Sequence, residues 1–252
     1  MRDQMFEKKR KKKLTVFGYT SKGGRDENED TAGIFDDGAS SILVAVADGL
    51  GGHGGGKAAS QAAIDSIRDD FKRYSIKEPE EFNIWFQKAN QKVLDMQMRE
   101  CEMKTTLVAM VMDNETAMWA HIGDSRLYHF VDGKLEFCTF DHSVSQMAVL
   151  RGEITQEEIR GHVDRNRLLK ALGREETISI DVSPIVELAG AEHAFLLCSD
   201  GFWEYVLEED MQKTLKAAES AEDWIKRMLL IHEQNAKEGC DNNSAVAVIY
   251  SA

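Results

Sequence analysis

The chain has 252 residues, is 42% apolar and 30% charged, and carries a formal net charge of −13. That length and composition suit a globular protein with a sizeable core. No stretch approaches the roughly 18 consecutive apolar residues of a membrane span, and the acidic balance argues against a nucleic-acid partner. In chain order, Lys8–Lys13 (KKRKKK) is an unbroken basic run, and residues 1–13 read as a flexible basic tail. No apolar segment follows it, so it does not read as a signal peptide. Leu14–Tyr19 reads as a first strand and Ser21–Asp30 as a polar, Gly-rich loop. Ile34–Phe35 and Ile42–Ala47 read as a hairpin around the turn Asp36–Ser40.

Gly51–Gly56 is a flexible turn. The helix that follows has Ala59, Ala63, Ile67 and Phe71 on one face, and a second helix over about 80–100 turns Phe82, Trp85, Phe86, Ala89, Val93 and Met96 inward. Thr105–Met112, Thr116–Ile122, Arg126–Phe130 and Leu135–Phe140 read as consecutive strands, with turns at Asp113–Asn114 and Asp132–Gly133. Ser143–Arg174 is polar and helical in short pieces. Ile178–Leu188 and His193–Ser199 are strands, Glu208–Ala218 and Ala221–Lys237 amphipathic helices, and Ala245–Tyr250 a last strand. Strands that mostly follow one another directly pair antiparallel. The expected fold is therefore α+β, a single domain over 14–252 with helices packed on central antiparallel sheets.

Apolar runs that stop at Asp beside Gly recur through the chain. Ile42–Ala47 ends at Asp48-Gly49, Met118–Ile122 at Gly123-Asp124, and Ala194–Cys198 at Ser199-Asp200-Gly201; Asp241-Asn242 opens the final run. One Asp-Gly is ordinary turn chemistry; four at strand ends point further. If these strands are neighbours, their carboxylates gather at one sheet edge and repel one another unless a cation joins them. Hard divalent cations take oxygen ligands of this kind, and the Gly49 carbonyl could add another. No His/Cys cluster argues for zinc. Arg25 lies amid Asp26, Glu27, Glu29 and Asp30, either as a surface ion-pair partner or as a phosphate-binding fork. Cys101, Cys138, Cys198 and Cys240 have neither metal-finger nor redox spacing, which suits a reduced, cytoplasmic protein.

Eight segments, in order, resemble the bacterial metal-dependent protein phosphatases of the PPM class, the type-2C serine/threonine phosphatases. They are RDENED (25–30), ADGLGGH (47–53), KTTLVA (104–109), HIGDSRLY (121–128), TFDHS (139–143), LLKALG (168–173), CSDGFWE (198–204) and DNNSAVAV (241–248). The resemblance runs from about Thr15 to Ile249 and implies a β-sandwich flanked by helices. It makes Asp48 a bridging ligand of two Mn²⁺ or Mg²⁺ ions, with Gly49, Asp200 and Asp241 completing the first site. Glu29 and Asp30 would serve the second, partly through water, and Asp124 a possible third that shares Asp200. Arg25 would bind phosphate. Two such cations lower the pKa of a bridging water, whose hydroxide attacks phosphorus in line while Arg25 and the metals neutralise the phosphoryl oxygens.

Departures from the pattern matter. Leu50 stands where some eukaryotic members place a His as general acid, and His53 is displaced by three residues, so neither inherits that role. Lys104 replaces a common Gly, and His142 reads as a hydrogen-bonded organiser. Residues 143–170 resemble the family's flap. The expected partners are phosphorylated proteins, including a Ser/Thr kinase and its targets, acting on a monomer. Two other readings stand beside hydrolysis: a catalytically inactive phosphoprotein-binding module of the same fold, and a domain stabilised by Ca²⁺. The complete Asp set disfavours the first, and the lack of an EF-hand loop disfavours the second.

Overall fold

The computed structural model describes residues 4–10, 14–51, 55–73, 78–97 and 103–251. In order these form β1 (Gln4–Arg10), β2 (Leu14–Ser21), β3 (Thr31–Asp36), β4 (Ile42–Ala47), β5 (Gly49–Leu50), α1 (Gly55–Arg73), α2 (Glu81–Met96), β6 (Lys104–Thr105), β7 (Leu107–Met112), β8 (Thr116–Ile122), β9 (Arg126–Val131) and β10 (Lys134–Cys138). Then come α3 (Val144–Leu150), a 3-10 helix at Glu157–Gly161, β11 (Asp181–Val182), β12 (Val186–Glu187), β13 (His193–Cys198), α4 (Asp200–Trp203), α5 (Glu208–Ala217), α6 (Ala221–Asn235) and β14 (Asn243–Tyr250). One sheet runs β1-β2-β14-β13-β9-β10. The other runs β11-β8-β7-β4-β3, with β12 also on β8. Every pairing in both sheets is antiparallel.

The alternation of side chains along each strand decides the layering. In β4, Ile42, Val44 and Val46 face the other sheet, while Leu43, Ala45 and Ala47 face helices. In β13, Phe195 and Leu197 point between the sheets and Ala194, Leu196 and Cys198 point outward to a helical layer. Both faces are covered, which is why these strands read as unbroken apolar runs. α1 and α2 cover one sheet through Ala59, Ala63, Ile67, Phe71, Phe82, Trp85 and Phe86, while Trp224, Ile225 and Met228 of α6 cover the other. The result is a helix–sheet–sheet–helix sandwich with three apolar layers.

Several boundaries differ from expectation. Gln4–Arg10 form an edge strand in register with β2, from Gln4 opposite Thr20 to Arg10 opposite Leu14, where a flexible tail is expected. The outer edge of β2 offers a complete ladder of backbone partners, and that outweighs the poor strand propensity of a basic run. Residues 1–3 and 11–13 lie outside the described residues, as do His53 and Cys101. Ile178–Leu188 is not one strand but the two short pairings β11 and β12, separated at Pro184, which has no N–H to give to a ladder. Met96 is 40% exposed, not inward. Among the described residues, no helix is long and apolar enough to cross a membrane.

One polar pair sits inside the sandwich. His129 and His193 are both nearly buried, with His129 Nε2 3.0 Å from His193 Nδ1, and the His129 ring stacks on Phe195. Burial, then the neighbouring imidazole, pushes His129 down to about 4 from an ordinary 6.5. The unfolded chain therefore takes up this proton first, so stability present above pH 6.5 is lost as the pH falls towards 4. The midpoint of thermal unfolding of His129→Gln is expected to fall less steeply over that window than that of the wild type. Groups common to both chains cancel in the difference, so equal slopes would exclude this pair as a contributor.

Candidate active site

The strand ends place the expected carboxylates together. Asp48 follows β4 and Asp124 follows β8, both from one sheet; Asp200 follows β13 and Asp241 precedes β14, both from the other. They therefore meet at one end of the sandwich, across both sheets, where a single sheet edge was expected. Asp30 joins them from the loop before β3 and is 1% exposed. The electrostatics register this crowding. Asp48 is pushed well above the usual carboxylate range by burial and then by Asp30, Asp200, Asp124 and Asp241. Burial is also the first cause for Asp30, raised to about 6, and for Asp200, raised to about 7, with Glu204, Asp241 and Asp30 next for Asp200. Asp124 is raised well above its ordinary value by burial and then Asp200.

Two of these groups have an orphaned oxygen. Asp30 Oδ1 and Asp200 Oδ1 are buried without a hydrogen-bond partner. Orphaned buried carboxylate oxygens facing other carboxylates are costly without a cation. This donor set, all oxygen and strongly anionic, fits Mg²⁺ or Mn²⁺.

The scaffold that holds them is built from hydroxyls and amides. The Asp48 N–H donates to Thr106 Oγ1 at 2.9 Å, while Thr105 Oγ1 (2.8 Å) and Thr106 N (2.9 Å) donate to the Asp48 carbonyl. Thr106 Oγ1 also meets Ser125 Oγ at 2.7 Å, which ties the Asp48 turn to the Asp124 turn. Ser199 Oγ donates to Asp30 Oδ2 at 2.8 Å and accepts from Ser244 N at 3.0 Å. Asn242 accepts from Glu29 N and donates to the Lys22 and Glu27 carbonyls, so it shapes the loop that carries Arg25. Thr105, Thr106, Ser199 and Asn242 all lie in the matching motifs, but only the fold shows what they hold.

Gly49 is required by crowding. A Cβ there would lie 2.1 Å from the Gly56 carbonyl oxygen and 2.7 Å from that of Glu29. Gly49→Ala is expected to cost about 1–3 kcal/mol through overpacking. Thermal unfolding in chelator checks this, and an unchanged midpoint would refute it.

Two expected residues have partners that qualify their roles. Arg25 is exposed, and its guanidinium pairs with Asp241 Oδ2 at 2.8 Å; the anionic loop residues around it are not its partners. Glu29 is raised chiefly by burial and held back by the backbone N–H groups of Lys57 and Gly56, so its carboxylate already caps the N-terminus of α1. His142 acts as the organiser expected. Its Nδ1 accepts from Gly123 N at 3.1 Å and its own N–H donates to Gly123 O at 2.9 Å, fixing a turn in which Gly123 has φ +102°. His121, His142 and Asp181 have ligating atoms within 4.8 Å of one another. A His142 Nδ1 that accepts a backbone N–H leaves the ring proton on Nε2, 3.3 Å from Asp181 Oδ1. The two imidazoles also stack parallel. Neither feature suits a shared ion.

Residues 18–242 match the family profile described as protein phosphatase 2C. The chain belongs to the protein phosphatase 2C family. It is 34% identical over 232 residues to the serine/threonine phosphatase stp of Listeria monocytogenes serotype 4b, covering 89% of this chain and 90% of that one. A serine/threonine phosphatase from Staphylococcus aureus superposes with a TM-score of 0.81 at 26% identity, covering 99% of this chain and 95% of its own. The catalytic domain of the serine/threonine phosphatase PstP, solved with two manganese ions, gives a TM-score of 0.76 at 30% identity, covering 95% and 99%. The sandwich and its antiparallel sheets are thus those of the PPM phosphatases, and this family member is a protein phosphatase that depends on divalent metal.

Proposed function

We propose that this chain hydrolyses phosphoserine and phosphothreonine in proteins, opposing a Ser/Thr kinase in the cytoplasm as a monomer. The observation that carries this reading is the set of five carboxylates with two orphaned buried oxygens, beside an exposed arginine. Asp48 would bridge two cations, with the Gly49 carbonyl, Asp200 and Asp241 at the first and Asp30 at the second. Glu29 would serve the second from the side, its carboxylate shared with α1. Asp124 and Asp200 would hold a third. Bound there, Mn²⁺ or Mg²⁺ would acidify a water for attack on phosphorus and neutralise the phosphoryl oxygens.

The protein's own part is to place these ligands without slack and to grip the phosphoryl group. Asp241 would hold a cation, and Arg25, now its ion-pair partner, would then offer its planar fork to phosphate. No side-chain nucleophile is needed. Turnover of an aryl phosphate and of a phosphothreonine peptide is expected with Mn²⁺ or Mg²⁺ and is expected to stop in chelator. A protein that binds Mn²⁺ yet turns over neither substrate would favour the inactive binding module. Arg25→Ala is expected to raise KM by about 10–100-fold, the loss of one charge-assisted contact, with a smaller effect on kcat. An unchanged KM would leave Arg25 as only the ion-pair partner of Asp241.

A further inference from the structure

Behind the carboxylates lies an ionic network, buried at Arg126 and Asp141 and half-buried at Arg160 and Glu208, for which hydrolysis has no direct use. Trp203 is 2% exposed and ends α4, the four-residue helix that begins with Asp200. Its indole Nε1 donates to the Asp124 carbonyl at 3.0 Å. Its own carbonyl accepts from Arg160 Nε at 3.1 Å. The Arg126 guanidinium lies over the indole, 3.6 Å from the ring centroid, and is held by both oxygens of Asp141 at 2.8 and 2.7 Å. Arg160 comes from the 3-10 helix of the 143–170 segment and grips both oxygens of Glu208 at 2.8 and 2.9 Å. That segment leaves and rejoins the sandwich at the Ser143–Leu168 bridge, so Arg160 lies well inside the excursion.

We propose that Trp203 and Arg160 form a brace between this flap and the Asp124–Asp200 pair, coupling the seating of the flap to cation binding between those two carboxylates. The inference rests on the reading above that Asp124 and Asp200 share a cation. A four-residue helix is too short to fix its own orientation, so the angle of Asp200 must be set by what α4 touches. Trp203 supplies that contact at both ends. Its indole N–H fixes the backbone of Asp124, and its carbonyl is fixed by the flap.

The buried Arg126–Asp141 pair, extended by the half-buried Arg160 and Glu208, is an expensive way to fill space. Here it locks one geometry, because every guanidinium named is spoken for. Trp203 and Arg160 are positioning residues; neither reaches the phosphoryl group. Groups that orient a ligand from behind typically change metal affinity 10–100-fold when removed. Linkage also runs both ways, so a cation that favours the braced geometry must favour the seated flap equally.

The test is a Mn²⁺ titration by calorimetry combined with amide hydrogen exchange over residues 157–167. Trp203→Phe keeps a ring under Arg126 but removes the N–H. It is expected to weaken the weakest class of Mn²⁺ site by about tenfold or more and to leave the tighter sites unchanged. In the wild type, Mn²⁺ is expected to slow exchange over 157–167; in Arg160→Met it is expected to lose that effect. Asp124→Asn is the reference and is expected to delete the weakest site. If Asp124→Asn deletes no site, the assignment of Asp124 fails. If it deletes one while Trp203→Phe binds Mn²⁺ like the wild type, the brace is wrong. Wild-type exchange that ignores Mn²⁺ would overturn the coupling, and the Arg160→Met arm decides the matter even if Trp203→Phe does not fold.

Discussion

Asp200→Asn is expected to lower turnover at saturating Mn²⁺ by at least about a hundredfold, while the metal-free variant melts at a higher temperature than the metal-free wild type. The first half follows from charge. Removing a group that merely orients a ligand already costs about 10–100-fold in metal affinity or activity, so if Asp200 holds the cation as proposed, removing its charge has that range as a floor. The second half follows from crowding. Asp200 is 8% exposed, with one orphaned oxygen, and is raised to about 7 by burial and then by Glu204, Asp241 and Asp30. Asn keeps the volume, removes one of five like charges, and supplies an N–H₂ to neighbouring carboxylates. An active variant, or a metal-free variant that melts below the wild type, would refute the assignment of Asp200 to a strained anionic centre. Ordinary destabilising substitutions lower activity and stability together; opposed signs are the signature of a site built for a cation.

Chelation is expected to destabilise the wild type, and by more at high pH. A carboxylate whose folded-state pKa is raised binds its proton more tightly in the folded chain, so its penalty grows as the pH rises through that value. This loss begins near the ordinary carboxylate value of 3.8 and runs up through about 6 for Asp30 and about 7 for Asp200, so above pH 6.5 it is chiefly Asp200 that still gives up its proton. Below 6.5 the buried imidazoles act with the opposite sign, so the clean window is 6.5–8. Mn²⁺ at about a hundred times its dissociation constant adds roughly 2.7 kcal/mol for one site, or about 5–10 °C in a chain of this size. The rise in melting temperature on adding Mn²⁺ is expected to be larger at pH 8 than at pH 6.5. A rise independent of pH would mean that the carboxylates do not repel one another as their burial requires.

The strands were legible because both faces of the central ones are buried. The runs at 42–47 and 193–198 carry their apolar content to their ends and stop at polar turn residues, so their limits were readable. Thr105–Met112 reads as one strand, but the pairing breaks at Thr106, whose hydroxyl is taken by Asp48 N and Ser125. That competition is invisible locally, because Ser125 is distant in sequence. The stretch Gln4–Arg10 departs from expectation for a related reason: its strand state depends on the free edge of β2, not on its own composition.

The sequence alone singled out the residues proposed to hold cations. Asp48, Asp124, Asp200 and Asp241 each sit at the end of an apolar run, and strand ends are where a sandwich must expose polar groups. It also determined the family, since eight segments in one order leave little room for another reading. Only the tertiary structure decided how those residues are used. It brought two carboxylates from each sheet to one end, paired Arg25 with Asp241, and turned Glu29 towards the N-terminus of α1. It also gathered the buried Arg126 and the half-buried Arg160 around Trp203 behind the site. The physical reason is range. Periodicity and turn chemistry act over a few residues and are written locally, whereas charge repulsion, desolvation and hydrogen-bond competition depend on groups brought together from across the chain.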